Sequence, residues 1–173
     1  GAVGGGGLRP RIYVYEMPPR FTSWIAAFRR GDWTRDHWYG VDVIMHSQLL
    51  RSPYRTLDAA DADFFFIPCY LSLGFYSHRY YFKHLNPPAY PVVRNAIDFV
   101  NRTYPHLRKP GYEKRHILVT TMDQGNRYVR ENVKQAAGLM IIHHWGATSR
   151  ALVDGVKQGD HVPGLDLDHL RQE

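Results

Sequence analysis

The run His116-Ile117-Leu118-Val119-Thr120-Thr121-Met122-Asp123-Gln124-Gly125-Asn126 sets an apolar block against a polar stop. From Ile117 to Thr120 every residue is apolar or β-branched, the pattern of a strand covered on both faces, and an Asp, a Gly and an Asn then end it. This is an interior strand of a parallel sheet running into a loop. Open parallel sheets bind ligands beyond the carboxyl ends of their strands, so Asp123 is the leading candidate for chemistry, with Gly125 and Asn126 in the same loop as candidate substrate contacts.

Three further short strands flank this one in the sequence. Ile12-Tyr13-Val14-Tyr15 is closed by Glu16 and by Pro18-Pro19, Phe64-Phe65-Phe66-Ile67 is stopped by Pro68, and Leu139-Met140-Ile141-Ile142 follows Gly138 and reads as buried. Helical spacing separates them. Phe21, Trp24, Ile25 and Phe28 suggest a short helix ended by Gly31. Val41, Ile44, Met45, Gln48 and Leu49 place one face on a helix from about Trp38 to Arg51, with His46 as a packing residue. Val93, Ala96, Ile97, Val100 and Tyr104 do the same from about Pro91 to Tyr104, and Val129, Val133, Ala136 and Ala137 for a helix capped by Asn126 and ending at Gly138. Alternating strands and helices imply an α/β parallel sheet with helices on both faces, the four strands side by side.

Composition bounds what the chain does. Its 173 residues are 44% hydrophobic and 22% charged, enough for one folded domain with a core. The net charge of +6 suits an anionic partner such as a nucleotide sugar, an acidic glycan, a nucleic acid or a membrane surface, but the basic residues are scattered in short groups that read as solvated faces, and no nucleic-acid-binding motif accompanies them, so no nucleic acid partner is expected. Cys69 is the one cysteine, so these residues form no disulfide among themselves, and no stretch is apolar for the length of a membrane span. Gly1 to Gly7 lack the Gly-Lys-Ser/Thr of a phosphate loop and read, with residues 8–10, as a flexible lead-in.

Three motifs offer sites. Asp61-Ala62-Asp63 has the spacing of a divalent-cation motif but precedes its strand instead of following it, which favours a turn and cap within Thr56 to Ala62. His143-His144 ends the fourth strand without partners at zinc-site spacing, so no metal is expected, although His143 lies where a cleft would be. Asn101-Arg102-Thr103 fits the N-glycosylation acceptor pattern. From Tyr70 to Asn86 the chain is aromatic and basic without a clean period, a loop or irregular helix that offers a binding surface, with Tyr76 and Arg79 as candidate substrate contacts there and Tyr15 a third at the end of the first strand.

The ordered set Arg11-Ile12-Tyr13-Val14-Tyr15-Glu16-Met17-Pro18-Pro19-Arg20-Phe21, Met45-His46, Leu49-Leu50-Arg51-Ser52, Arg55-Thr56-Leu57-Asp58 and Ala62-Asp63-Phe64-Phe65-Phe66-Ile67-Pro68 resembles the exostosin family of glycosyltransferases. Tyr104-Pro105, His116 to Thr121 and Asp123-Gln124-Gly125 continue it, the last as the family's Asp-x-Gly loop. Met122, Leu107 and Val162-Pro163-Gly164 stand where the family more often has His, an aromatic and a Pro-Pro pair. The resemblance implies a Rossmann-like domain over residues 11–165, the acceptor-side half of an inverting two-domain GT-B transferase, with residues 166–173 a tail or the start of a continuation.

It further implies a type II Golgi membrane protein with its catalytic part in the lumen and its anchor outside this sequence. Such a protein moves a hexosyl, pentosyl or glucuronosyl unit from a nucleotide sugar to a glycan, in polysaccharide synthesis, as a monomer or a homo- or hetero-oligomer and without a cofactor. The donor would be bound mainly by a C-terminal half absent here, leaving this half inactive alone. Asp123 is the expected base, with Glu16 and His143 next. The alternative from another class is a non-catalytic carbohydrate-binding or scaffolding module with the same fold.

Overall fold

The computed structural model describes residues 9–27, 40–74, 89–121, 129 and 133–143. Five strands form one sheet: β1 (Ile12–Val14), β2 (Arg55–Thr56), β3 (Phe64–Phe66), β4 (His116–Val119) and β5 (Met140–Ile142). Their order is β2-β1-β3-β4-β5 and every pairing is parallel. The four expected strands are therefore neighbours, as the alternation of elements required. Helices α1 (Ser23–Ala27), α2 (Val41–Arg51) and α3 (Ala89–Thr103) connect them.

The alternation of side chains along each strand divides the core between two faces. Ile12, Val14, Phe64, Phe66, Ile117 and Val119 pack on one side with Met45 and Leu49 of α2. Tyr13, Tyr15, Phe65, Ile67 and Leu118 face the other, where Val93, Ala96, Ile97 and Val100 of α3 are buried at the expected helical spacing. At the centre of this second face is His116, which is fully buried. Its Nδ1 donates to the Tyr112 carbonyl at 2.7 Å, so in the neutral ring Nε2 accepts, and the Tyr15 hydroxyl donates to it at 2.8 Å. Burial foremost, with the nearby His106 and Arg115 adding to it, lowers the His116 pKa and keeps the ring neutral, while burial raises that of Tyr15. The ring stacks on Phe65 with centroids 4.8 Å apart and planes at 14°.

Several local expectations need correction. Thr56, expected to open a turn, belongs with Arg55 to a strand paired with Ile12 and Tyr13; the turn itself is present at Ala59–Asp61, capped by Asp58, whose Oδ1 accepts from the Ala60 N–H. Trp24 is 61% exposed, because Phe21 enters the core from the preceding turn. On α2, Val41 and Gln48 lie outward while Asp42, Met45 and Leu49 face inward, a rotation of the expected face. The fourth helix is helical at Val129, but the chain from Val133 turns through a 3-10 segment, Lys134–Ala136, and reverses at Gly138 with φ +89°. Leu139 is buried, yet β5 is not a buried strand: Met140 is 40% and Ile142 39% exposed, because β5 ends the strand order among the described residues and one face is left open. Phe28, Gly31 and Trp38 lie outside the described residues, as do residues 1–8 and 144–173.

Two substitutions test this core. Val100→Asp sets an unpaired charge at a position with no exposed surface and is expected to cost about 3 kcal/mol or more, read by thermal or chemical denaturation. Tyr15→Phe keeps the ring but strips the donor from His116 Nε2, at an expected cost of about 1–3 kcal/mol. An unchanged unfolding midpoint in the second variant would show that the imidazole does not rely on this hydroxyl.

Candidate functional site

The order β2-β1-β3-β4-β5 puts the reversal of chain direction across the sheet between β1 and β3, and the crevice beyond their carboxyl ends is where such sheets hold ligands. Glu16 leaves β1 at this point and is exposed, its carbonyl accepting from the Tyr104 hydroxyl at 3.1 Å. Arg20 is exposed in the following turn, its guanidinium 4.8 Å from the Phe21 ring centroid. The exit of β3 is buried from Ile67 to Leu73 and is tied to the β1 exit by Tyr70 N–H donating to the Phe21 carbonyl at 2.9 Å.

Behind that surface runs a buried polar chain. Asp42, 1% exposed, accepts the Ser72 N–H on Oδ2 at 3.0 Å, and the Ser72 hydroxyl accepts the Thr121 N–H at 2.7 Å. The first turn of α2, the helical turn 71–74 and the exit of β4 are thereby held to one another. Burial pushes the Asp42 carboxyl up to about 7, against the opposing pull of the N–H groups of Asp42, Ser72 and Leu73. Burial and the Asp42 charge raise Tyr70 to about 12, and its hydroxyl lies 2.9 Å from His46 Nδ1. Among the described residues, Asp42 Oδ1, Thr120 Oγ1, Thr121 Oγ1 and His143 Nδ1 toward the carboxyl ends of the strands, and Arg55 Nε and His106 Nδ1 elsewhere, are buried without a hydrogen-bond partner. Such atoms are uncommon in folded proteins and gather where a ligand or another chain segment completes them.

The amino-terminal edge is occupied differently. Asp63 Oδ2 accepts the Arg11 backbone N–H at 2.7 Å, and Asp61 Oδ2 the Arg11 side chain at 2.8 Å. Arg11 immediately precedes β1, so the Asp61-Ala62-Asp63 carboxylates clasp the end of the sheet opposite the crevice, in agreement with their assignment as a turn. Among the described residues, no group of three His, Cys, Asp or Glu side chains is placed to hold a metal ion.

Of the expected site residues, the structure sets Glu16 beside the crevice and a half-buried His143 at the end of β5. Tyr15 is a core residue instead: its ring is 1% exposed and its hydroxyl is engaged by His116, which leaves no face for a sugar. Asp123, Gly125, Asn126, Tyr76, Arg79 and His144 lie outside the described residues. The sequence reading missed Asp42, Ser72 and Thr121 as a connected group. An acid at the second position of an amphipathic helix, where an apolar residue would continue the buried stripe, was the one local signal.

An all-parallel sheet of this order, covered by helices and with polar groups gathered beyond its carboxyl ends, defines a Rossmann-like α/β domain. The chain belongs to the exostosin family: the model of the Exostosin GT47 domain matches residues 8–162. It is similar to a probable glucuronoxylan glucuronosyltransferase of Arabidopsis thaliana, 35% identical over 117 residues, which are 66% of this chain and 24% of that protein. A second probable glucuronoxylan glucuronosyltransferase of Arabidopsis thaliana is 31% identical over 67% of the chain and 25% of its own length. A probable glucuronosyltransferase of Oryza sativa subsp. japonica is 28% identical over 89% of the chain and 35% of its own length. The chain thus spans between about a quarter and a third of these relatives. No solved structure matches it.

The buried carboxyl gives a pH signature with a defined sign. A folded pKa raised to about 7 means that Asp42 contributes stability below the unfolded carboxylate pKa and loses it as the pH rises toward 7, by on the order of 4 kcal/mol for an isolated group. His46, His106 and His116, whose pKa values are lowered, act oppositely and lose stability as the pH falls through about 6.5. Asp42→Asn keeps an acceptor for Ser72 N–H and removes the titration. The stability difference, variant minus wild type, is expected to grow from pH 4 to pH 7 in denaturation curves; a constant difference would show that Asp42 does not titrate in that window.

Proposed function

We propose that the protein is a glycosyltransferase that transfers a glucuronosyl or related glycosyl unit from a nucleotide sugar to a glycan, with inversion at the anomeric carbon. The observation that carries this is the family match over residues 8–162 together with relatives named as glucuronosyltransferases. The chain is the acceptor-side half of a two-domain enzyme, and a second Rossmann-like half binds the nucleotide. A donor bearing a diphosphate and a uronate carboxylate is strongly anionic, and a net charge of +6 favours its approach. The working compartment is the Golgi lumen. No helix among the described residues is long and apolar enough to cross a membrane.

Inverting transfer requires a base for the acceptor hydroxyl, and electrostatic stabilisation of the departing diphosphate. Asp123 is the proposed base, two residues along the chain from Thr121, where the polar chain from Asp42 and Ser72 ends. Glu16 follows β1 and His143 follows β5, at the carboxyl ends of strands separated by β3 and β4, and they are the next candidates. Gly125, Asn126, Tyr76 and Arg79 are proposed to contact the substrates.

A donor screen on the full-length protein, measuring nucleoside diphosphate release, tests the activity. Asp123→Asn is expected to lower turnover by roughly 100-fold or more with an unchanged melting curve. Near wild-type turnover in that variant moves the base to Glu16 or His143, to be separated by Glu16→Gln and His143→Gln. Glycan binding by the full-length protein without any donor turnover would favour a carbohydrate-binding module over an enzyme.

A further inference from the structure

We propose that Asn101 carries an N-linked glycan, placed on the side of the domain away from the sugar-transfer crevice. Asn101-Arg102-Thr103 is the one Asn-x-Ser/Thr triplet in the chain, and its middle residue is not proline. All three residues are exposed on the last turn of α3. The residue before them, Val100, has no exposed surface and belongs with Val93, Ala96 and Ile97 to the buried stripe, so the triplet occupies the outward part of the same turn. A large polar substituent on Asn101 displaces no core side chain.

Position relative to the crevice follows from the connection. Beyond Thr103 the chain passes through two 3-10 turns, His106–Arg108 and Glu113–Arg115, directly into the first residue of β4. Arg115 is bonded to the carbonyls of Ala62 and Asp63, in the same clasp that Arg11 makes at the amino-terminal edge of the sheet. As the crossover from β3 to β4, α3 runs against the strands and ends toward the side from which they start, with the Tyr104 side chain reaching back from it to the Glu16 carbonyl at 3.1 Å; Asn101 to Thr103 face outward from that turn. A glycan at Asn101 leaves substrate access open.

The inference rests on the lumenal location proposed above, because a chain bound for the Golgi lumen first passes the lumen of the endoplasmic reticulum, where the second substrate, a polyprenyl-diphosphate-linked oligosaccharide, is presented. A bond forms between Asn101 Nδ2 and the anomeric carbon of that oligosaccharide. The anomeric C–O bond to the diphosphate breaks, polyprenyl diphosphate leaves with the electron pair, and the amide proton passes to a base of the transferring enzyme. The Thr103 hydroxyl is the acceptor-site group the reaction needs two residues on.

The test uses the full-length protein made in a eukaryotic secretory host and mapped by peptide mass spectrometry before and after peptide N-glycosidase. The expected result is that the peptide containing Asn101 appears only after digestion, with Asp at position 101. Thr103→Ser should keep that modification, and Thr103→Ala and Asn101→Gln should abolish it with an unchanged melting curve. Recovery of the wild-type peptide with an intact, underivatised Asn101 overturns the proposal, as does modification that persists in Thr103→Ala. Nucleoside diphosphate release from the same preparations reports on sugar transfer separately. Asn101→Gln is expected to turn over at the wild-type rate, and a tenfold loss of turnover with folding retained would overturn the placement away from the crevice.

Discussion

His116 opens β4 with no exposed surface, and a buried imidazole is costly unless both ring nitrogens have partners. Here one nitrogen is tied to the carbonyl of Tyr112, four residues back, and the other to a hydroxyl 101 residues away in the chain. The ring spans from β4 to Tyr15 at the end of β1 across the face of Phe65 on β3, so one neutral side chain fixes the relative positions of three strands. With strands of three or four residues, backbone pairing alone offers few bonds per neighbour. The aromatic layer of Tyr13, Tyr15, Phe65, Tyr104 and Tyr112 around the imidazole supplies area that a longer ladder would otherwise supply.

On the opposite face the comparable device is Asp42. Its carboxylate lies where the first turn of α2 meets the helical turn after β3, and N–H groups from both converge on it. This is helix capping between elements far apart in the chain, and it transmits the placement of both helices to the strand that leads toward Asp123. One face is thus organised by a base held neutral and the other by an acid whose ionisation burial opposes. At the amino edge of the sheet the Asp61 and Asp63 carboxylates are consumed by Arg11, and at the carboxyl edge Asp42 Oδ1, Thr120 Oγ1 and Thr121 Oγ1 are among the buried polar atoms of the described residues that lack a partner.

The strands containing Ile12 to Val14, Phe64 to Phe66 and His116 to Val119 were legible because each is an apolar run stopped by Pro or a polar cluster, and α3 because its buried spacing is regular. β2 was not, since Arg55 and Thr56 have no apolar signature and become a strand only through pairing with Ile12 and Tyr13. The rotation of α2 was hidden for a related reason. Hydrophobicity favours Val41 inward, and N–H groups 30 residues downstream make Asp42 the better occupant. At Gly138 the φ is positive and a Cβ would stand only 2.8 Å from Glu113 Cγ, which defines a glycine turn where periodicity had extended a helix. Strand ends, and so the crevice beyond them, are visible in sequence, but a tyrosine ending a strand reads the same whether its hydroxyl meets a sugar or, as at Tyr15, an imidazole in the core.

The span of 101 residues between Tyr15 and His116 also has a consequence for biosynthesis. At about 5–20 residues per second, a ribosome delivers His116 roughly 5–20 s after Tyr15, far longer than the microseconds in which a nascent chain collapses. Through that interval the aromatic cluster of β1 and β3 has neither its imidazole partner nor the central strand that closes it, and exposes the surface that chaperones recognise. Nascent-chain survival, as much as equilibrium stability, is therefore set by how soon β4 arrives.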